Sequence, residues 1–293
     1  MRAVAAFLGL AAWLAAGPVA AQGFNLSRNN DEQIQVYADE GIEWMSEANR
    51  VVARGNAKAV RGQVTVTADS LTAYYRNGPG GDEIWRLDAD GNVTIQSAKE
   101  TATGTKATYD LDKAIFVLRG QPAKLVTPNE TFTATDALEY WEKERMAVLR
   151  GDGVAVQKDR TIRADVLAAR FKDGAKGDLE LKRADAYGNV VLTTAKEKVT
   201  GERGDYNAES GIATVAGSVK ITRDGNELNG GYAHVNLNTG ISKLFGSPPG
   251  ARDGDGRVRG VFTPEKQDLE GRRALFKGAG PGKAEEKPKA GGQ

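Results

Sequence analysis

Residues 55–75 read GNAKAVRGQVTVTADSLTAYY, and residues 151–171 read GDGVAVQKDRTIRADVLAARF. The two stretches share a starting glycine, an Ala-Asp pair (Ala68-Asp69 and Ala164-Asp165) and a leucine (Leu71 and Leu167), all at an offset of 96 residues. Apolar and polar side chains alternate within them: Val64, Val66 and Ala68 are separated by Thr65 and Thr67, and Val154 and Val156 enclose Ala155. A period of two puts every second side chain on one face of a strand. The β-branched residues and tyrosines favour the same assignment.

The pattern spreads outward from these segments. GNVTIQSAKETATGTKATYD, from Gly91, matches GNVVLTTAKEKVTGERGDYN, from Gly188, so that Gly91, Gly104, Tyr109 and Gly120 recur 97 residues later as Gly188, Gly201, Tyr206 and Gly217. Beneath this runs a ladder of seven glycines, Gly55, Gly91, Gly120, Gly151, Gly188, Gly217 and Gly246, at intervals of 36, 29, 31, 37, 29 and 29 residues. Repeats of this length indicate stacked supersecondary units. The glycines are expected at turns between units, supplying positive φ or close backbone approach. The segment ALEYWEKERMAVL (137–149) reads as strand, turn, strand, with Leu138 and Tyr140 on one arm, Met146 and Val148 on the other, and Glu142 to Arg145 at the tip. Gly78-Pro79-Gly80-Gly81 and Asp173-Gly174-Ala175-Lys176-Gly177 mark loops on the same side of the two repeats.

Composition narrows the chemistry. The 293 residues include 36 Gly, one His and no Cys, which excludes disulfides, thiolate catalysis, Cys-based metal sites and a His cluster. With 40 Lys and Arg against 39 Asp and Glu, no global field attracts nucleic acid, which is not expected as a partner. Residues 1–21, MRAVAAFLGLAAWLAAGPVAA, have the charged start, apolar run and small-residue end of an export signal, the plain alternative being an N-terminal membrane anchor, for which the apolar core is short of the roughly 20 residues a span requires. The body is expected over 22–249, and the doubled pattern also allows two halves meeting near 171–178. The charged, small-residue stretch 250–293 is expected to be a flexible tail, with Val261-Phe262 and Leu275-Phe276 as its apolar contacts.

The opening IQVYADEG (34–41), then RVVARGNAKAVRGQVTVTADSLTAYY (50–75), then the repeated GNV and TATGTKATYD-like blocks together resemble the periplasmic lipopolysaccharide transport proteins called LptA, within the wider OstA-like family. The family unit is often shorter than this doubled body, and the extra length leaves room for a related LptC-like or other OstA-like periplasmic protein. The resemblance implies an all-β, elongated OstA-like β-jellyroll of two facing antiparallel sheets built from stacked repeats, working in the periplasm. It implies lipopolysaccharide as cargo, an LptC-like inner-membrane partner and an LptD-like outer-membrane partner. About 16 strands, eight per sheet, would stack to roughly 38 Å at about 4.8 Å per strand, short for a bridge between two membranes, so end-to-end homo-oligomers or end-to-end partners are expected.

The resemblance assigns the lipid-handling start of the groove to Ile34 and Val36. Alternation adds Val64, Val66, Val93 and Ile95 as lipid-contact candidates, beside the plain alternative that all six are sheet core. Tyr109 and Tyr206 are read as repeated packing residues, Arg61 and Arg76 as surface cations able to meet lipid phosphate, and His234 as a packing or solvent-bonded residue. Asp69 and Asp165 either hold turn amides or form a glycosidase-like carboxylate pair. No G-x-G-x-x-G, Walker, H-E-x-x-H or G-x-S-x-G motif is present, so neither a cofactor, a metal nor an enzyme activity is expected. The rival functions are a structural or adhesive β-repeat and a polysaccharide-processing solenoid.

Overall fold

Between Asp90 and Val93 the strand register slips, and the slip is built from two residues with positive φ, Gly91 at 77° and Asn92 at 46°. Glycine adopts such angles freely, and Asn tolerates them because its short side chain bonds locally. Here Asn92 Nδ2 donates to both carboxylate oxygens of Asp69 on the adjacent strand, at 3.0 and 3.1 Å. The second repeat has the same device: Gly188 and Asn189 have φ of 73° and 48°, and Asn189 Nδ2 lies 3.0 Å from each oxygen of Asp165. Gly55-Asn56, Gly151-Asp152 and Gly217-Ser218 also pair two positive φ values. Gly120 and Gly246 serve close approach instead: a Cβ at Gly120 would meet Gly104 Cα at 3.0 Å, and one at Gly246 would overlap Gly256. The ladder is therefore a row of corners, five of them β-bulges inside strands, and not a set of turns between units.

The computed structural model describes residues 33–78, 81–174, 179–236, 238–239, 241–250 and 256–262. Among them are eighteen strands. The first repeat holds β1 (Gln35–Tyr37), β2 (Gly41–Met45), β3 (Arg50–Arg61), β4 (Val64–Gly78), β5 (Gly81–Gln96), β6 (Thr101–Asp110), β7 (Ile115–Arg119) and β8 (Ala123–Val126). The second holds β9 (Glu130–Ala134), β10 (Ala137–Trp141), β11 (Met146–Gln157), β12 (Arg160–Asp173), β13 (Leu179–Thr193), β14 (Lys198–Asn207) and β15 (Ile212–Arg223). β16 (Asn226–Asn236), β17 (Ile241–Phe245) and β18 (Arg259–Val261) close the described chain.

Every pairing is antiparallel, and the corners divide the ladder into two arms. On one side of the corners, arm I runs from β2 across β3 to β7, then β10 to β17. On the other, arm II starts at β1 and ends at β18, with β8 and β9 replacing β7 and β10. Ten long strands serve both arms and four pairs of short strands, β1/β2, β7/β8, β9/β10 and β17/β18, complete them, giving fourteen rungs. Six rungs make one repeat, so the second repeat begins at β9/β10. Leu138 and Tyr140 of the expected strand-turn-strand do lie on β10, with Met146 and Val148 on β11 across the turn at 142–145.

The arms face each other. One buried cluster joins Leu71, Leu118, Leu138, Leu149 and Leu167 of arm I to Val66, Ile95, Leu125, Phe132 and Ile162 of arm II. A second joins Val215, Ala233, Val235 and Leu244 to Leu192, Val199, Val219 and Ile221. This is an elongated, all-β OstA-like jellyroll of two facing sheets. Each full leucine burial stabilises it by about 1.5–3 kcal/mol.

Two expectations change. The eight strands per sheet become fourteen, because ten long strands run through both sheets and four pairs of short strands complete each one; at about 4.8 Å per strand the stack is ~67 Å long rather than ~38 Å. Residues 259–261, expected within the flexible tail, pair as β18 with Glu227, Leu228 and Asn229 of β16. The export-signal segment 1–21 lies outside the described residues, as do 251–255 and everything beyond 262. Around 171–178, of which 175–178 are outside the described residues, the β12–β13 register shifts between Arg170 and Phe171, and pairing then runs on to Asp173 with Leu179.

Candidate functional site

Following the register across arm II gives one row of inward side chains: Val36, Ala59, Val66, Ile95, Ala102, Leu125, Phe132, Ala155, Ile162, Leu192, Val199, Ile221, Leu228 and Gly260. No polar side chain interrupts it over fourteen rungs. The facing row of arm I runs from Ile42 through Leu71, Leu118, Leu149, Gly204 and Val215 to Leu244 and is equally apolar. Period-two alternation within each strand, combined with direct cross-strand pairing, turns local patterns into two continuous tracks.

The tracks are closed in the middle and open at the ends. Val93 and Ile95 are each 1% exposed, with Val64 and Val66 packed against their cluster. Four of the six candidates thus sit in the sheet core. Val36 is 40% exposed on β1, and Ile34, just before that strand, is 48% exposed. Opposite them, at the inner edge of arm I, the exposed Ile42 and Trp44 continue the apolar surface, with Trp44 Nε1 donating to the Tyr75 hydroxyl at 2.9 Å. At the far end Val258 and Phe262, flanking β18, are also exposed. The sequence reading missed Ile42 and Trp44, although their equivalents 96 residues on, Leu138 and Tyr140, were recognised as strand residues. β1 and β2 pair only with β3, and β17 and β18 only with β16, so among the described residues both ends carry unpaired strand edges.

The polar candidates have structural partners. Arg76 makes a double hydrogen bond to Asp112 at 2.7 and 2.9 Å, which holds the guanidinium at the tip of arm I. Arg61 lies at the tip of arm II, beside the β3–β4 turn. Tyr109 and Tyr206 are buried on the inner face, and Tyr109 donates to Glu142 at 3.0 Å. His234 faces outward between Thr214 and Lys243. Asp69 and Asp165 accept from Asn92 and Asn189, each in its own repeat, which is a corner-holding role and not a paired catalytic one.

At the lip of arm II a turn recurs that the sequence reading did not single out. Ser97, Thr127 and Thr194 accept from the backbone amides of Glu100, Glu130 and Glu197, at 3.2, 3.1 and 3.1 Å. Burial raises the pKa of all three glutamates, that of Glu100 to about 7. The charge of Glu100 therefore depends on pH near neutrality.

Two successive segments, residues 35–136 and 133–241, match the family described as LptA/(LptD N-terminal domain) LPS transport protein. The chain belongs to this lipopolysaccharide transport family. Its members are periplasmic transport proteins and not enzymes, and the two matched segments begin at β1 and β9, where the six-rung repeats begin. An uncharacterized protein of Rhizobium meliloti (strain 1021) is 29% identical over 116 residues, 38% of this chain and 61% of that protein. The ribosome-associated molecular chaperone of Eremothecium gossypii is 31% identical over 112 residues, also 38% of this chain but 18% of the chaperone. The chain thus spans less than two thirds of either curated relative. The crystal structure of LptH, the LptA homologous periplasmic component from Pseudomonas aeruginosa, aligns with 80% of this chain and 96% of its own, at 13% identity and a TM-score of 0.21.

Proposed function

We propose that this family member carries lipopolysaccharide by sheltering its acyl chains between the two arms, as one section of a bridge between the inner and outer membranes. The observation that carries this reading is the pair of unbroken apolar tracks that reach solvent at both ends through Val36, Ile42 and Trp44 on one side and Val258 and Phe262 on the other. A sealed sandwich would cover those ends. Each CH₂ taken out of water is worth about 0.8 kcal/mol, so a track of this kind can hold an acyl chain without any polar contact. Ile34, Val36, Val64, Val66, Val93 and Ile95 are the proposed lipid contacts, the last four requiring the arms to part. The unpaired edges suit strand addition by an LptC-like partner, an LptD-like partner or another copy.

The packed centre, where Leu118 and Ile95 are fully buried, also suits a rigid spacer with no cargo. Photocrosslinking separates the readings. Photoreactive residues at Val36 and Val66 should capture lipopolysaccharide, and one at the outward-facing Thr65 should not. Folded variants with no adduct at either inward position, or with equal capture at Thr65, would favour the spacer.

A further inference from the structure

The outer face of arm I changes character between the repeats. In the first, Ser70, Thr72 and Tyr74 of β4 and Arg86, Asp88 and Asp90 of β5 point outward, since Leu71, Ala73, Leu87 and Ala89 point in. At the equivalent positions of the second, 96 and 97 residues on, stand Val166, Ala168 and Arg170 of β12 and Arg183, Asp185 and Tyr187 of β13. Arg50 of β3 is likewise replaced by Met146 of β11, beside Val148. Around a valine common to both repeats, Val52 and Val148, a polar surface has become an apolar floor.

The floor lies in a dent of about 350 Å³ lined by Met146, Val148, Val166 and Ala168, with Arg150, Arg170, Asp185 and Tyr187 around it. Its rim is cationic. Arg170 Nη1 and Arg183 Nε both donate to the buried Asp185, at 3.2 and 2.8 Å, so two guanidinium groups share one carboxylate. Arg203 lies 5.0 Å from the Tyr187 ring centroid, where the first repeat instead has an ion pair of Lys106 with Asp90 at 2.6 Å. Asp185 orients the two arginines, Asp205 also acts on Arg183, and Arg150 donates to Glu139 at 2.6 Å, so that with Arg203 four guanidinium groups stand against three carboxylates, a surplus of one positive charge.

We propose that this outer dent binds the acyl chain and phosphate of a single phosphate-bearing lipid, apart from the track between the arms. Charge selects the anion: guanidinium groups match phosphate oxygens in pairs, and Arg170 and Arg183, cross-strand partners on β12 and β13, stand side by side at one end of the apolar floor. Size selects a lipid over a protein, because the dent is in the range of small-molecule sites, about 300–1,000 Å³, whereas a stable protein interface buries roughly 800 Å² on each partner. The proposal is independent of whether cargo enters the interior.

The test uses the full chain and dodecyl phosphate below its micelle concentration, with dodecyl maltoside as uncharged counterpart. A photoreactive residue at Met146 should capture dodecyl phosphate and spare the maltoside. The triple variant Val166→Ser, Ala168→Thr, Arg170→Tyr installs residues that the first repeat already carries at the same register. It should weaken capture at Met146 at least about tenfold, a change of ~1.4 kcal/mol, while leaving capture at Val66 as it was. Should the triple variant unfold early, Arg170→Gln with Arg183→Gln tests the cationic rim alone and should cause a loss of the same order. Equal capture of both amphiphiles, capture of neither, or undiminished capture in folded variants would overturn the proposal.

Discussion

Gly188→Ala isolates the corner on which both arms depend. Gly188 has φ of 73°, and an added Cβ would overlap the Asp165 carboxylate. Holding Ala in the left-handed region costs about 1–2 kcal/mol. Moving Asp165 aside breaks its two 3.0 Å bonds from Asn189, a further loss of roughly 1 kcal/mol at this exposed site. Lower entropy of the unfolded chain returns about 0.4–1 kcal/mol. The net expectation is destabilisation by about 2 kcal/mol, which for a body of this size is a drop of ~4–8 °C in Tm. Gly204→Ala is the control. Gly204 has no positive φ, and its nearest neighbours to an added Cβ are Thr214 O at 3.6 Å, Ala186 Cβ at 3.7 Å and Val190 Cγ1 at 3.7 Å, so the same substitution should stabilise by about 0.4–1 kcal/mol. Urea unfolding followed by tryptophan fluorescence measures both, with an unchanged slope showing that the unfolded states are comparable. Equal stability of Gly188→Ala and wild type, or equal losses in the two variants, would refute the assignment of the glycine ladder to corners.

Glu100 has a pKa raised from 4.5 to about 7 by burial, so the folded state holds more protons than the unfolded one between those values. Its stabilising contribution is complete below about pH 4.5 and lost as pH rises through 7, on the order of 3 kcal/mol at most; Glu100→Gln should flatten the difference in urea midpoint between pH 5 and pH 8, and parallel profiles would count against the buried carboxyl. Leu118→Ala, at a fully buried seam position, should cost ~2–5 kcal/mol in the same unfolding assay. Val36→Lys at the open edge should change stability by less than about 0.5 kcal/mol and yet reduce end-to-end association in sedimentation velocity runs.

The sheet and its repeat were legible because hydrophobic alternation and glycine position are local properties. The facing of individual residues across a corner was not. Val66 and Ala68 point inward on β4, but beyond the corner the inward residues are Leu71 and Ala73, an odd step that a strict period of two cannot cross. On β5 the inward Ala89 and Val93 are separated by an even step that includes the Gly91-Asn92 bulge. The phase change on alternate strands becomes visible only when register is known. The rung count was hidden for a related reason. β7/β8 and β9/β10 cross the corner as interrupted chain, without a Gly-Asn bulge to announce them. End exposure was hidden too, since the alternation of Ile42 and Trp44 is the same whether or not another strand covers them.

The corner chemistry also sets the step by which such a body is assembled. Side-chain and close-approach contacts link rungs in twos: Asp39 with Asn56, Asp69 with Asn92, Asp165 with Asn189, and Glu202 with Ser218. At the last pair, Gly231 leaves room for the carbonyl of Gly246. Among the described residues the first rung opens such a pair and the fourteenth closes one. Each end therefore presents the same corner phase as an internal boundary between pairs, such as that between β3 and β4. Because each rung contacts chiefly its neighbours, stability is close to a sum of rung and interface contributions. A partner strand added at either end meets a register already used inside the molecule, whereas a one-rung insertion would set an Asp against an Asp or a Gly-Asn pair against its own kind. Viable length changes should therefore come in two-rung steps, each keeping one acceptor corner beside one Gly-Asx-type corner.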